Sequence, residues 1–231
     1  MNHKVSRVVV ILARGGSKRV PRKNLQLVGG KPLVLISAEV ATDCGYHTFI
    51  SSDDQEILNL KYPENVTTHE RSIELSGDTS TSEDAILEIA EYFSWSNDVE
   101  IILLPPTSPL RTSEHLNKFI EEWDELSLKF NYDQAMSVVS TKQDLWTLDG
   151  TSASRIRNIV FGGRQSRRSQ EREDIFIETS AIYLSKLEIL RKGKKFTEGN
   201  IALLCLPKIA SIDIDDIEDL QIARLLYENR K

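Results

Sequence analysis

The feature that most constrains this chain is a set of short, unbroken apolar runs that each stop abruptly in polar residues. Val8-Val9-Val10-Ile11-Leu12-Ala13 has no polar residue to mark a wet face. A strand of that composition is covered on both sides, as in a parallel sheet. Ile101 to Leu104 repeats the pattern, Thr48 to Ser51 is a shorter version, and Ala135–Val139 and Ala181–Leu184 read as further strands. Helical stretches lie between them. Gly29-Gly30 signals a turn, and Pro32 then opens a helix to about Thr42, at a position where a first helical turn tolerates proline. Ser82-Glu83-Asp84 opens a second helix carrying Ile86, Leu87, Ile89, Ala90 and Phe93, and a third runs from about Glu114 to Leu126. Strands alternating with helices predict an α/β fold, a three-layer sandwich with a mostly parallel sheet.

A chain of 231 residues suits a single domain over 1–231, and no repeat or low-complexity linker divides it. One stretch breaks the rhythm. From about 141 to 175 apolar residues are scattered, Gly162-Gly163 interrupts and arginine dominates, which predicts an arm or insertion that packs on something else.

Charge sharpens this picture. The net charge is −6, which excludes general affinity for nucleic acid, since that needs a basic surface to release counterions from phosphates. The six-residue run at Val8 is too short for a signal peptide's apolar region or a membrane span, and two cysteines make no disulfide framework. The expectation is a cytoplasmic protein with no membrane partner. Within the average, Arg14, Lys18, Arg19, Arg22 and Lys23 place five cations in ten residues. Six arginines (155, 157, 164, 167, 168 and 172) fall in the irregular stretch, and Asp213, Asp215, Asp216, Glu218 and Asp219 crowd near the other end. Two cationic stretches against one acidic cluster suit a small anion and a metal.

Three strands end in polar clusters, Arg14–Lys23, Ser52–Asp54 and Thr107–Arg111. In open α/β sheets the ligand crevice lies beyond the carboxyl ends of the strands, so these clusters are expected to converge. Cations at such an end point to phosphates, and Gly15, Gly16 and Ser17 let the backbone approach and offer N–H donors. Neither the Walker-type phosphate loop nor the G-x-G-x-x-G dinucleotide fingerprint is present. In Ile212-Asp-Ile-Asp215, an extended backbone would turn both carboxylates to one side, a pair suited to Mg²⁺ together with phosphate oxygens and waters. Asp216, Glu218 and Asp219 fit the first turn of a helix running to about Tyr227. His3, His47, His69 and His115 sit at no recognisable motif position and read as surface or structural residues.

Taken together, these segments resemble a known family. Ile11-Leu-Ala-Arg-Gly-Gly-Ser-Lys-Arg-Val-Pro-Arg-Lys-Asn-Leu25 is similar to the opening signature of the CMP-sialic acid and CMP-nonulosonate synthetases, the acylneuraminate cytidylyltransferases. Leu103-Leu-Pro-Pro-Thr-Ser-Pro-Leu-Arg111 resembles their second motif, Ser137-Val-Val a third, Ala181-Ile-Tyr183 a fourth and Ser211-Ile-Asp-Ile-Asp215 their acidic segment, all in family order. The resemblance implies a nucleotide-diphospho-sugar transferase (glycosyltransferase A-like) fold. It also implies attack of an acidic nine-carbon sugar on CTP, giving CMP-sugar and pyrophosphate, with Mg²⁺ as cofactor. By that likeness Arg14, Lys23 and Asp215 are the catalytic group. Arg14, Gly15, Ser17, Lys23 and Asn24 hold the triphosphate, while Arg71, Ser80 and Ser82 take the cytosine. Asp213 and Asp215 match the metal ligands. Thr107, Ser108, Arg111, Arg168 and Tyr183 fall on the sugar side, and the arginine-rich stretch lies where the family projects an arm across a homodimer interface.

The chain departs from the family at Pro105, where Gln is usual, at Thr179-Ser180, where Asn-Gly is usual, and at Ile177, where some members carry Arg. All of these lie on the sugar side, so the resemblance leaves the sugar open: a differently decorated nonulosonate, Kdo or another acidic sugar. Another nucleotide, or a non-catalytic nucleotide-binding homologue, are the remaining alternatives.

Overall fold

The computed structural model describes residues 6–77, 79–149, 152–161 and 168–230. In chain order the elements are β1 (Arg7–Leu12), β2 (Leu27–Val28), β3 (Lys31–Pro32), α1 (Leu33–Asp43), β4 (Thr48–Ser52), α2 (Gln55–Leu58), β5 (Val66–Glu70), α3 (Ser82–Tyr92), β6 (Glu100–Leu103) and α4 (Ser113–Lys129). There follow β7 (Gln134–Thr141), β8 (Trp146–Asp149), β9 (Ser152–Arg155), α5 (Ile156–Phe161), β10 (Ile175–Lys186), α6 (Leu187–Arg191), β11 (Ile201–Cys205) and α7 (Ile217–Glu228). Seven strands form one sheet in the order β11-β7-β10-β6-β1-β4-β5. Only β10 runs against its neighbours; the pairs β1/β4, β1/β6, β4/β5 and β7/β11 are parallel.

The continuous apolar run of β1 is divided between two cores. Val9 and Ile11 face Val34 and Ala38 of α1 and Leu116, Phe119 and Trp123 of α4. Val8 and Val10 face Ile86, Ile89 and Ala90 of α3 and Leu187 and Leu190 of α6. Helices thus cover both faces, and the expected three-layer sandwich is what the chain forms. Each fully buried aliphatic side chain contributes about 1.5–3 kcal/mol, so these two cores supply the main driving force. The helix starts are specified locally. Thr81, Thr112 and Asp216 each close a capping box at the N-terminus of α3, α4 and α7.

The irregular stretch is more ordered than its sequence suggests. It holds the antiparallel hairpin β8–β9 and the short helix α5, and β10 begins at Ile175 and extends for twelve residues. The strand expected from Ala181 is therefore the far half of a longer one. A register shift between Glu178 and Tyr183 explains why the sequence showed only that half. Ser137 stitches this bulge: its Oγ accepts the N–H of Ile182 at 2.8 Å and lies 2.7 Å from Thr179 Oγ1. Ser180 sits within the bulge at φ 51°, a left-handed conformation that glycine adopts without strain.

A third, smaller apolar cluster joins Val20, Val28, Leu33, Ile36, Ile214, Leu220 and Ala223. It is sealed by the β2–β3 hairpin, whose turn residues Gly29 and Gly30 take φ 57° and 78°. A Cβ at Gly29 would overlap the ring of Tyr227 on α7. Gly29→Ala therefore combines left-handed strain with overpacking, and is expected to lower unfolding stability by about 2–4 kcal/mol in urea denaturation. Adding Tyr227→Ala should recover the steric part and leave the backbone part.

Candidate active site

The carboxyl ends of β1, β4 and β6 open on one edge of the sheet, and the three polar clusters do meet there. A pocket of about 280 Å³ lies beyond β1, lined by Arg14, Arg71, Gly77, Ser80 and Ser82 among others. Arg71 is anchored from below. Its Nε donates to Ser51 Oγ at 3.1 Å and its Nη2 to the Ser51 carbonyl at 2.8 Å. Burial lowers the Arg71 pKa, while Asp53 and Glu88 act in the opposite direction. The capped N-terminus of α3, with Ser82 as its first residue, forms the opposite wall.

The loop after β1 is folded back on the strand ends. Gly15 N–H donates to Asp53 Oδ1 at 2.9 Å, and a Cβ at Gly15 would come within 3.0 Å of Asp54, so this position has no room for a side chain. Asn24 Nδ2 donates to the Arg14 carbonyl at 2.8 Å, drawing the two ends of the loop together. Ser17 is partly exposed on the same loop.

The second half of the site is the junction of cations and acids. Lys23 Nζ donates to the Ile214 carbonyl at 2.7 Å, and Arg19 pairs with Asp215 at 2.7 Å. Burial lowers the Lys23 pKa, against the opposing pull of Asp213 and Asp215. Ile214 N–H donates to the Thr107 carbonyl at 2.8 Å, which ties the acidic segment to the loop after β6. The acidic segment is not a sheet strand. It is a free extended stretch, with Ile214 buried in the third cluster and the two carboxylates on its polar side. Asp213 is mostly buried and its pKa is raised, first by that burial, against a hydrogen bond from the Thr107 hydroxyl. Asp213 Oδ1 is buried with no partner.

An orphaned, desolvated carboxylate oxygen beside a second carboxylate is a fitting place for a cation. Among the described residues no group of three or more His, Cys, Asp or Glu forms a metal cluster. The two aspartates therefore suit an ion that keeps most of its shell as water and phosphate oxygen, as Mg²⁺ does.

A further pocket of about 280 Å³ adjoins the first at Ser82 and is lined by Leu103, Pro105, Glu178, Ser180, Tyr183 and Phe196, among others. Tyr183 OH donates to Glu178, and its ring packs 5.7 Å from Phe196. All the sugar-side departures except Ile177 thus gather in or beside one cavity.

Of the five expected sugar-side residues Tyr183 lines this cavity, and Thr107, Ser108, Arg111 and Arg168 do not. Arg111 is 1% exposed, and its guanidinium donates to the carbonyls of Pro105 and Ala181 and to Ser37 Oγ. It shapes the loop after β6 from beneath, because both of its terminal nitrogens donate to oxygens of the chain, two backbone carbonyls and the Ser37 hydroxyl, while Nε is buried without a partner; Ser108 is buried in the same loop. Arg168 is exposed in the arm, 3.8 Å from Glu171. Arg164 and Arg167 lie outside the described residues. The sequence placed Asp53 in the strand-end cluster and His69 among the surface or structural histidines, and gave Ser51 no role beyond its strand. His69 on β5 precedes Arg71, just beyond the strand's end, by two residues, a spacing that was the available signal.

These geometries agree with three comparisons. A family model described as Cytidylyltransferase matches residues 8–231. N-acylneuraminate cytidylyltransferase A of Danio rerio is 30% identical over 190 residues, 80% of this chain and 42% of that protein. Pseudaminic acid cytidylyltransferase of Campylobacter jejuni is 27% identical over 226 residues, 95% of each chain. The chain thus spans about half the length of the N-acylneuraminate enzymes it matches and nearly all of the pseudaminic acid one. Among solved structures, a CMP-2-keto-3-deoxy-manno-octonic acid synthetase complexed with CTP superposes with a TM-score of 0.65 at 16% identity, covering 98% of this chain and 100% of that one. A 4-diphosphocytidyl-2C-methyl-D-erythritol synthase from Anaerococcus prevotii gives 0.67 at 13% identity, covering 97% and 99%. At such identities the likeness speaks to the fold, and the fold is theirs. With the family model matching all but its first seven residues, this chain belongs to the cytidylyltransferase family.

Proposed function

We propose that this protein activates an acidic nonulosonic sugar with CTP, releasing CMP-sugar and pyrophosphate. The observation that carries this reading is the junction of Lys23, Arg19, Asp213 and Asp215 together with two adjoining pockets, one lined by Arg14, Arg71, Ser80 and Ser82, the other by Tyr183 and Phe196. The first suits the cytosine and the second the sugar. The printed names of the relatives, N-acylneuraminate and pseudaminic acid cytidylyltransferase, supply the class of sugar.

In this reading the anomeric hydroxyl of the sugar attacks the α-phosphorus of CTP. The new O–P bond forms as the bond to the α,β-bridging oxygen breaks, the hydroxyl proton passes to water, and the electron pair leaves on pyrophosphate. Arg14 and Lys23 hold the triphosphate, and their fixed charge stabilises the charge growing on the bridging oxygen. Asp213 and Asp215 are the residues that would hold Mg²⁺, which supplies charge neutralisation at the phosphates. Gly15 and Asn24 keep the loop closed, so the cations are oriented before the nucleotide arrives. The sugar pocket, with Pro105 and Ser180 in place of the usual residues, favours a nonulosonate other than N-acetylneuraminate.

We also propose a homodimer through the arm. Trp146, Leu148, Ile159, Val160 and Phe176 are all exposed on and beside it, and this is more apolar surface than a monomer needs to show. The arm's arginines, Arg168 among them, would then reach the sugar site of the second copy. No helix among the described residues is long and apolar enough to cross a membrane. The two unpaired cysteines, Cys44 and Cys205, suit the reducing cytoplasm.

Pyrophosphate release from CTP, Mg²⁺ and a panel of nonulosonic acids, Kdo and other acidic sugars tests the reaction; silence across the panel removes it. Calorimetry should show CTP bound far more tightly than GTP. Lys23→Met is expected to lower kcat by on the order of 10²–10³. Asp215→Asn is expected to abolish Mg²⁺-dependent turnover while leaving the thermal unfolding transition in place. Phe176→Glu should convert a dimer to a monomer in sedimentation; an unchanged mass removes the arm as the interface.

A further inference from the structure

His69 lies behind the cytosine pocket and takes no part in the chemistry above. It is 5% exposed on β5 and pairs across the parallel ladder with Ser51 of β4. Its ring packs edge-on to Tyr92 of α3 with centroids 5.1 Å apart, and Phe93 stands at 6.3 Å. Ser51 is fully buried, and its Oγ meets two groups at once. Arg71 Nε donates to it at 3.1 Å, and His69 Nδ1 lies 3.3 Å away. A guanidinium can only donate, which leaves the hydroxyl proton of Ser51 available to His69 Nδ1, the direction this contact takes in one of the two ring tautomers. That arrangement requires a neutral imidazole with its proton on Nε2.

We propose that His69 is a positioning residue for the nucleotide base: neutral, it holds the Ser51 hydroxyl, which holds the Arg71 guanidinium at the edge of the cytosine pocket, and protonated, it releases that hold. The inference rests on the reading of this pocket as the CTP site.

The groups that face His69 are few. Among the described residues, Arg71 follows it on the same segment, Glu88 and Tyr92 come from α3, and β4 contributes Ser51. Glu88 Oε1 accepts the N–H of Ser72 at 3.2 Å, while its Oε2 is buried without a partner, so Glu88 steadies the same segment without pairing directly with the ring. Burial lowers the His69 pKa below the ordinary imidazole value; Glu88 opposes this and Arg71 adds to it. The sign follows. Above that lowered pKa the ring is neutral and the chain from His69 to Arg71 is intact. As pH falls through it, Nδ1–H becomes a second donor aimed at Ser51 Oγ and a second positive charge appears beside Arg71. Nucleotide affinity is therefore full near pH 7.5 and falls as the pH drops through that lowered pKa.

The test is calorimetric titration of the full chain with CTP and Mg²⁺ at pH 7.5 and 5.5, for wild type, His69→Asn and His69→Phe. The Asn amide oxygen can replace Nδ1 as acceptor and does not titrate; Phe fills the space and accepts nothing. At pH 7.5 the Asn variant should bind within about threefold of wild type and the Phe variant about tenfold more weakly. Between pH 7.5 and 5.5 wild type should lose about tenfold more affinity than the Asn variant, which corrects for titration of CTP itself. Equal pH dependence in wild type and His69→Asn, or wild-type affinity in His69→Phe, overturns the proposal. Should the Phe variant not fold, the ¹⁵N resonances of the wild-type His69 ring decide: an Nε2–H tautomer supports it, an Nδ1–H tautomer overturns it. Absence of CTP binding by wild type at both pH values removes the nucleotide reading and this proposal with it. That outcome is distinct from the failure of His69 alone, in which CTP still binds.

Discussion

The site depends on one apolar contact, the burial of Val20 and Ile214 in a common cluster under α7. Each is an aliphatic residue beside charged ones, and the two are nearly two hundred positions apart in the chain. Burying them together places the polar neighbours of both segments face to face, cations on one side and carboxylates on the other. The hydrogen bond from Lys23 to the Ile214 carbonyl and the pair between Arg19 and Asp215 follow from that placement. Exposed ion pairs of this kind contribute little by themselves, about 0–1 kcal/mol. The hydrophobic cluster, more than the ion pair, holds this geometry.

The same division recurs around the rest of the site. The functional loops are fastened from behind by groups that do not face the crevice. Arg111 gathers the loop after β6 onto Ser37 and the Ala181 carbonyl, Ser137 satisfies the bulge of β10, and Ser51 steadies Arg71. Each brings a buried polar group its partners, because a desolvated donor left unpaired costs about 1–3 kcal/mol. The pairing is not complete: among the described residues Arg111 Nε, Ser108 Oγ and Glu88 Oε2 are also buried without a partner, and Asp213 Oδ1 is the carboxylate oxygen of that set on the acidic segment.

Much of the fold was legible in the sequence because strands buried on both faces leave continuous apolar runs, and helix starts carry their own capping residues. The runs at Val8 and Ile101, and the helix starts at Ser82 and about Glu114, needed no tertiary information. The first half of β10 was not legible. It stands exposed on the arm, and the bulge at Ser180 breaks its alternation, so neither periodicity nor burial marked it. In the site, the polar clusters at the strand ends were legible as groups, since a buried strand ending in cations is unusual on any surface. Arg111 was misplaced for a physical reason: a motif arginine reads the same whether its guanidinium faces a ligand or a set of carbonyls. His69 was passed over because a lone histidine on a strand gives no sign of which hydroxyl it will meet.

The sequence by itself determined the layered α/β fold, the polar strand ends, the cation loop and the acidic pair, since hydrophobic periodicity and local charge are properties of neighbours in the chain. Only the tertiary structure decided which of these residues share a cavity. It set Arg71 against Arg14 and Ser82, left Asp213 Oδ1 without a partner, and sent Arg111 beneath the loop and His69 behind the pocket. Those outcomes depend on packing and on the pairing of buried polar groups across distant segments, which no local pattern records.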